Sequence, residues 1–413
     1  MTLAISTNLE TKSDILTHSD AKKLIDCLTE CSPSYYNSIF KKMYFSNPRN
    51  AKILSDFIIF EYNTQNVKLS TKLSHIKIIC LFNKFLNYKD FQETSKNDII
   101  QYLNSLRKTE LQDPTHKSIG TYNTRQMVLN KFFRWIYNKN EFDDKKWITP
   151  HCMQGIKALR RKEKSPYKPS DIWTNEDHAI FLKYCPEKRD RCYHAMANDT
   201  SCRPHELLSL KIKDISFKLS STGTQYAEIH IVESKTKPRT LPLIFSIPYI
   251  KDWLESHPMS NNQSAYLFIS LSDKTFGNQL SENALYKQYT RGYKKNYFVK
   301  LAKDTNLSEA DRSCIRYLLT KPWTPYILRH SALTEKSQIL KESVLRDHAG
   351  WSATSKMPEV YIHYFGNEST KSLLEAYGIE DKRCDTNVLK SRICINCSEP
   401  NRPDARFCVS CKA

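Results

Sequence analysis

Side chains able to do chemistry gather in a few short stretches of this 413-residue chain. In TSCRPHELLSLKIKDI (200–215), Arg203 opens an apolar helical run in which Leu207, Leu208 and Leu210 form a buried face, and Glu206 stands three residues on, able to orient the guanidinium. TPYILRHSALTE (324–335) supplies Arg329, with His330 beside it and Tyr326 three positions upstream. Gly350 and Trp351 follow, and then SKMPEVYIHYFG (355–366) brings Tyr361, His363 and Tyr364 close together. Each stretch alone has an ordinary explanation: an arginine at a helix start is usually a surface cap, and a tyrosine is usually a core wall with a satisfied hydroxyl. Two arginines, a lysine on a hairpin, a ring nitrogen donor and a late tyrosine together fit in-line attack on a phosphodiester. Negative charge grows on the equatorial oxygens in that reaction, so fixed guanidiniums stabilise the transition state more than the ground state.

A second kind of chemistry sits in the last 24 residues. In CINCSEPNRPDARFCVSC, Cys394 and Cys397 are followed after ten intervening residues by Cys408 and Cys411. Two CxxC knuckles bring four thiolates to a tetrahedral Zn²⁺, and so short a tail has too little core to fold without metal. With all four positions filled by protein, the zinc is structural. The other nine of the thirteen cysteines are scattered without regular spacing, which suits a reducing compartment better than a disulfide framework.

The elements that must hold these groups are mainly helical. Residues 1–47 form a polar lead-in. From 48 to 147 the apolar residues fall at three- and four-residue steps, as in Leu73, Ile76, Ile79, Phe82 and Leu86 or Leu129, Phe132, Phe133 and Ile136, which predicts a small all-helical domain. Ser95 and Asp98 have the spacing of a capping box opening a helix that buries Ile99, Leu103 and Leu106. Residues 148–173 read as a linker whose 155–173 portion carries six basic residues against two acidic ones and is broken by two prolines. A larger, mostly helical domain runs from 174 to 385, capped at its start by Thr174 with Asp177 in the first turn. Its exception is YAEIHIVESKTKPRTLPL (226–243), a β-hairpin with lysines at the bend. Residues 390–413 are the zinc ribbon.

Lys and Arg number 63 against 44 Asp and Glu, a formal charge of +19, which favours a polyanionic partner, nucleic acid before an acidic membrane surface. No apolar run approaches the roughly 18 residues of a membrane span and the N-terminal residues lack a secretory signal pattern, so an intracellular, cytoplasmic protein associated with DNA is expected.

In the order of these motifs the chain resembles the tyrosine recombinases, or phage-type integrases, over roughly 50–380. The family's first box, T-G-x-R-x-x-E-L-x-x-L, is met by Thr200, Arg203, Glu206, Leu207 and Leu210, with Ser201 where glycine is usual. The hairpin lysine that precedes an R-x-x-P-L tail is matched by Lys235, with Lys237 as the fallback. The second box, H-x-x-R-H, is present as Tyr326, Ile327, Leu328, Arg329 and His330, so tyrosine replaces the first histidine. The third, L-G-H/W-S, is Ala349, Gly350, Trp351 and Ser352. The nucleophile of the family lies about nine or ten residues further on. Tyr361, ten beyond Trp351, fits that spacing, and Tyr364 does not.

The resemblance implies a helical core-binding (SAM-like) domain followed by a mixed, mostly helical catalytic domain with a small sheet. Small C-terminal ribbons of this kind accompany some archaeal integrase-like proteins. It implies a site-specific DNA recombinase working through a 3′-phosphotyrosyl intermediate, with Arg203, Lys235, Tyr326, Arg329, Trp351 and Tyr361 as catalytic residues and Glu206 and His330 in support. Lys235 donates a proton to the departing 5′ oxygen, and no metal or nucleotide is needed for catalysis. Double-stranded DNA is the partner, bound by a homo-oligomer that is a tetramer in synapsis, with Arg160, Arg161, Lys162, Lys164, Lys237 and Arg239 as DNA contacts. Two alternatives share the motifs: a type IB-like topoisomerase, and a non-catalytic ribbon-bearing DNA-binding protein derived from an integrase.

Overall fold

A computed structural model describes residues 34–65, 67, 69–114, 116–139, 141, 143–160, 167–221, 223, 225–232, 238–362 and 388–413. The chain divides into two compact units, Met1–Pro166 and Tyr167–Ala413.

The described part of the first unit contains five α-helices: α1 (Ser34–Ser46), α2 (Pro48–Gln65), α3 (Leu69–Phe85), α4 (Lys96–Ser105) and α5 (Lys117–Tyr137). The periodic residues Ile76, Ile79, Phe82, Leu129, Phe132, Phe133 and Ile136 are buried together. Phe132 meets Phe57 and Phe91 edge-on, with centroids 5.2 and 4.9 Å apart, the arrangement that ring quadrupoles favour. Ser95 caps α4 as its spacing predicts: its Oγ accepts from Asp98 N at 3.2 Å, and Asp98 accepts from Ser95 N at 2.9 Å. The buried Glu61 carboxylate accepts from His75 and Lys131, the pairing a buried charge requires. Phe40 and Met43 of α1 belong to this core, so residues 34–46, read as lead-in, are folded into the unit. Cys152 and Met153, read as linker, are buried in it as well.

In the second unit, α6 (Asn175–Tyr184), α7 (Lys188–Thr200) and the short α8 (Pro204–Leu208) lead into a three-stranded antiparallel sheet, β1 (Ile215–Leu219), β2 (Gln225–Ile231) and β3 (Arg239–Leu243), in that order. The expected hairpin is therefore widened by a third strand. Ala227 pairs with Leu243, Ile229 with Leu241 and Ile231 with Arg239. These six residues are buried while their strand neighbours face outward, so the two-residue alternation of a strand carries Arg239 to the core side. Then come α9 (Ile247–Ser256) and α10 (Glu282–Lys287), the latter continuing through a π-helical stretch, Gln288–Phe298. The unit goes on with α11 (Glu309–Thr320), α12 (Pro325–Ile339), α13 (Glu342–His348) and α14 (Met357–Ile362). Strands β4 (Arg392–Ile393) and β5 (Pro400–Asn401) form the tail's own small sheet. Trp173, read as the end of the linker, is buried in this unit and donates its indole N–H to Pro322 O at 3.0 Å.

Candidate active site

The end of α7 fixes the first arginine. Ser201 terminates that helix in the left-handed region with φ 54°, fully buried, which turns the chain so that Arg203 becomes the N-cap of α8. This is the position at which a glycine is usual in the matching motif, and the reason is conformational: a residue with a Cβ is strained there, by about 1–2 kcal/mol. Glu206, fully buried, accepts from Arg203 N and from Arg203 Nη1, both at 2.9 Å. It also accepts from Arg239 Nη1 at 3.2 Å and Arg239 Nη2 at 2.8 Å. Burial alone pushes the Glu206 carboxyl up; the bonds from Arg239 and from the Arg203 backbone, with both positive charges, overcome it and hold the group at about 2. One carboxylate thus ties two guanidiniums together.

Arg239, expected to contact DNA, is instead a buried structural cation. Its Nε donates to His348 O at 3.1 Å, and the sheet register given above turns it inward. Gly350 lies against it with φ +64°, and a Cβ at that position would stand 2.6 Å from Arg239 Nη1. Glycine is required there for close approach as well as for conformation. The Gly350 carbonyl faces Arg203, 3.5 Å from Nη1 and 3.4 Å from Nη2.

The other arginine comes from α12, which Thr324 caps by accepting from Ile327 N at 3.3 Å. Arg329 is 5% exposed and donates from Nη1 to Ser201 O at 2.6 Å and from Nη2 to Ala349 O at 2.9 Å. The two carbonyls belong to the first and third motifs, so this one side chain joins them. Burial, followed by the charge of Arg203, lowers its pKa to about 10, which leaves it cationic at neutral pH. Its Cζ lies 5.9 Å from the Trp351 ring centroid.

Tyr361, on α14, is 1% exposed and is packed with Trp351, Leu333, Leu345 and Ala349. Its ring stacks on Trp351 at 5.5 Å and 23° and on His330 at 5.5 Å and 29°. The phenol oxygen is 3.1 Å from His330 Nδ1. Tyr326, one helical turn before His330, is 44% exposed; burial and Glu282 raise its pKa against the opposing fields of Arg203 and Arg329. Arg203, Glu206, Arg329, His330, Trp351 and Tyr361 are thereby joined through direct contacts, and Tyr326 lies within the field of both arginines. Lys235, Lys237, Arg161, Lys162, Lys164 and Tyr364 lie outside the described residues, and Arg160 is exposed on the first unit.

The family model described as the phage integrase family matches residues 174–368. That segment is a phage integrase family domain. Among solved structures, a lambda integrase dimer bound to a COC′ core site is similar with 14% identity over 76% of this chain and 77% of that one, at a TM-score of 0.50. XerH site-specific recombinase in a post-cleavage complex with palindromic difH substrate is similar with 17% identity over 87% of this chain and 97% of that one, at 0.51. At these identities the likeness is one of fold, the tyrosine recombinase fold. No curated protein matches the chain.

Beyond the phage integrase domain, the four tail cysteines converge. The Sγ atoms of Cys394, Cys397, Cys408 and Cys411 all lie within 4.8 Å of one another, with 3.6 Å between Cys394 and Cys411 and 3.5 Å between Cys397 and Cys408. A tetrahedron with Zn–S bonds of about 2.3 Å has edges of about 3.8 Å, so the donor set fits zinc. The amides of Cys397 and Asn396 point at the Cys394 sulfur and lower its pKa, which favours the thiolate a metal needs. The ribbon is anchored on the domain. Leu389 is buried in the main core, and Lys251 of α9 donates to Gln225 Oε1 at 2.9 Å and to Glu399.

Two features escaped the sequence reading. Tyr167 packs its ring edge against His330 at 4.7 Å and bonds Thr324 Oγ1 at 3.1 Å; nothing local in a proline-broken stretch marks it. The inward place of Arg239 was signalled by the R-T-L-P-L alternation.

Proposed function

We propose that this protein is a site-specific DNA recombinase that cleaves and rejoins strands through a 3′-phosphotyrosyl bond at Tyr361. The observation that carries this is the direct chain of contacts from the Arg203–Glu206 pair through Gly350, Ala349 and Arg329 to Trp351 and the Tyr361 ring. Arg203 and Arg329 neutralise the charge that builds on the phosphorane-like transition state. Tyr326 hydrogen-bonds a phosphate oxygen, Trp351 walls the site, and Lys235 protonates the 5′ oxygen as it leaves. The phosphotyrosyl ester conserves the energy of the broken bond, so a 5′-hydroxyl from a second strand reverses the reaction into a new joint.

Double-stranded DNA is the partner of both units, with the basic stretch containing Arg160, Arg161, Lys162 and Lys164 along the phosphate backbone and a homo-oligomer on paired sites. Each phosphate contact adds to a steep salt dependence of binding. The cysteine quartet holds a structural Zn²⁺; when bound, it supplies only the fold of the ribbon.

A pool of nicked duplexes of random sequence tests the proposal, because a strand cleaved beside the nick diffuses away and traps the covalent complex. Wild type yields SDS-resistant complexes enriched in one sequence, and Tyr361→Phe yields none while still binding duplex DNA. Duplex binding without any trapped complex identifies the non-catalytic alternative. Trapping without strand exchange between paired sites identifies the topoisomerase-like one.

A further inference from the structure

We propose that His330 is the group that takes the phenol proton of Tyr361, a task for which the tyrosine at 326 is unsuited. This rests on Tyr361 being the nucleophile. Tyr326, Arg329 and His330 occupy positions i, i+3 and i+4 of α12 and therefore share one helix face. A phenol at 326 is a poor base at neutral pH, and its environment raises its pKa further. The imidazole one turn later stands 3.1 Å from the Tyr361 oxygen through Nδ1. Its plane is fixed on one side by the Tyr361 ring, 5.5 Å away, and on another by the edge of Tyr167, 4.7 Å away. That is the distance and rigidity a general base needs.

Among the described residues, the charged and titratable groups facing this ring are Arg329 on its own helix, Tyr361 on α14 and Tyr167 ahead of α6. Burial, then the charge of Arg329, lowers the His330 pKa to about 4, so the ring is neutral at pH 7 and can carry its proton on Nε2 with the Nδ1 lone pair directed at the phenol. A scissile phosphate arriving at Arg329 offsets the positive charge that depresses this basicity, so the base strengthens as substrate binds. In the step itself the Tyr361 oxygen forms its bond to phosphorus as its proton passes to His330 Nδ1. The phosphorus–O5′ bond breaks, and the leaving oxygen takes a separate proton from Lys235. When the reaction reverses, His330 returns the proton to Tyr361.

The test uses the full-length protein and the nicked duplex recovered by the random-pool selection. His330→Asn puts an amide near the place of Nδ1 that can accept a hydrogen bond but cannot take a proton. Single-turnover cleavage is expected to slow by about 10²–10³-fold, with duplex binding unchanged. The variant's rate should rise about tenfold per pH unit while wild type stays nearly flat. Replacing Tyr361 by a difluorotyrosine, whose phenol ionises near neutral pH, should restore most of the loss. Should His330→Asn misfold, His330→Ala with added imidazole reads the same point through chemical rescue. A 5′-bridging phosphorothiolate, which needs no leaving-group protonation, should not rescue either variant. Cleavage by His330→Asn within threefold of wild type, or a slow variant indifferent to pH and fluorotyrosine, overturns the role of His330 and leaves Tyr361 as nucleophile intact. Absence of any trapped complex, or trapping by Tyr361→Phe, overturns the underlying function and the role of His330 with it.

Discussion

The arginine cluster and the cysteine tail both crowd like groups into one place, by different physics. Arg203 and Arg239 are held by a single fully buried carboxylate, Glu206, and Arg329 by two backbone carbonyls drawn from segments about 150 residues apart in sequence. That site exists only once the core of the second unit is complete. The four cysteines converge within 18 residues, and a bound metal, rather than the core, would relieve their mutual repulsion as thiolates. A charge cluster of the first kind is held in place by the fold itself; a cysteine cluster of the second kind depends on the ion it could hold to shape the chain around it.

The sharpest separation between the two is metal removal. Purified protein is expected to carry one zinc per chain, and a strong chelator should strip it and abolish amide-exchange protection across 392–412 while α7 and α12 stay protected. Protein that lacks zinc yet keeps full ribbon protection breaks the contrast. The reciprocal change is Glu206→Ala, which leaves Arg239 buried without its carboxylate. Urea unfolding should show a loss of about 3–5 kcal/mol, with zinc content unchanged. A loss below 1 kcal/mol would mean that Arg239 finds water or another partner.

Acid distinguishes them further. Burial holds His330 at about 4 and His178 and His348 at about 3, well below the value of about 6.5 in the unfolded chain. The unfolded state therefore binds more protons once the pH drops below about 6.5, and stability falls from there toward pH 4. At pH 5 each of these histidines accounts for up to about 2 kcal/mol of that loss. Glu206, held at about 2, adds to it only below about pH 4.5. Chemical denaturation from pH 7.5 to 4.5 reads the slope, and a flat profile above pH 5 contradicts it. The smallest effect belongs to the turn at 201: Ser201→Gly should relieve the left-handed strain and raise stability by about 1 kcal/mol, seen as a higher urea midpoint.

What could be read from sequence followed the range of the interaction. The Ser95–Asp98 cap and the Arg203–Glu206 pair are set by residues three positions apart and the cysteine cluster by residues within 18 of each other, and spacing alone displays them. The helical character of both units followed from three- and four-residue periodicity in the same way. Arg239, by contrast, has its partner Glu206 33 residues away, and in the sequence only strand alternation points to the inward side. Gly350 was recognised by motif, but its need for space comes from the Arg239 guanidinium, 111 residues distant in sequence. Tyr167 and Trp173 looked like linker because prolines and charges dominate their neighbourhood, whereas their partners are on α12 and in the turn before it.

The most direct measurement is peptide mapping of the trapped complex. After digestion of wild-type protein captured on a nicked duplex, mass spectrometry should find the 3′-phosphoryl nucleotide on the peptide containing Tyr361, on that phenol oxygen. A nucleotide on Tyr364, or on any other residue than Tyr361, would contradict the account.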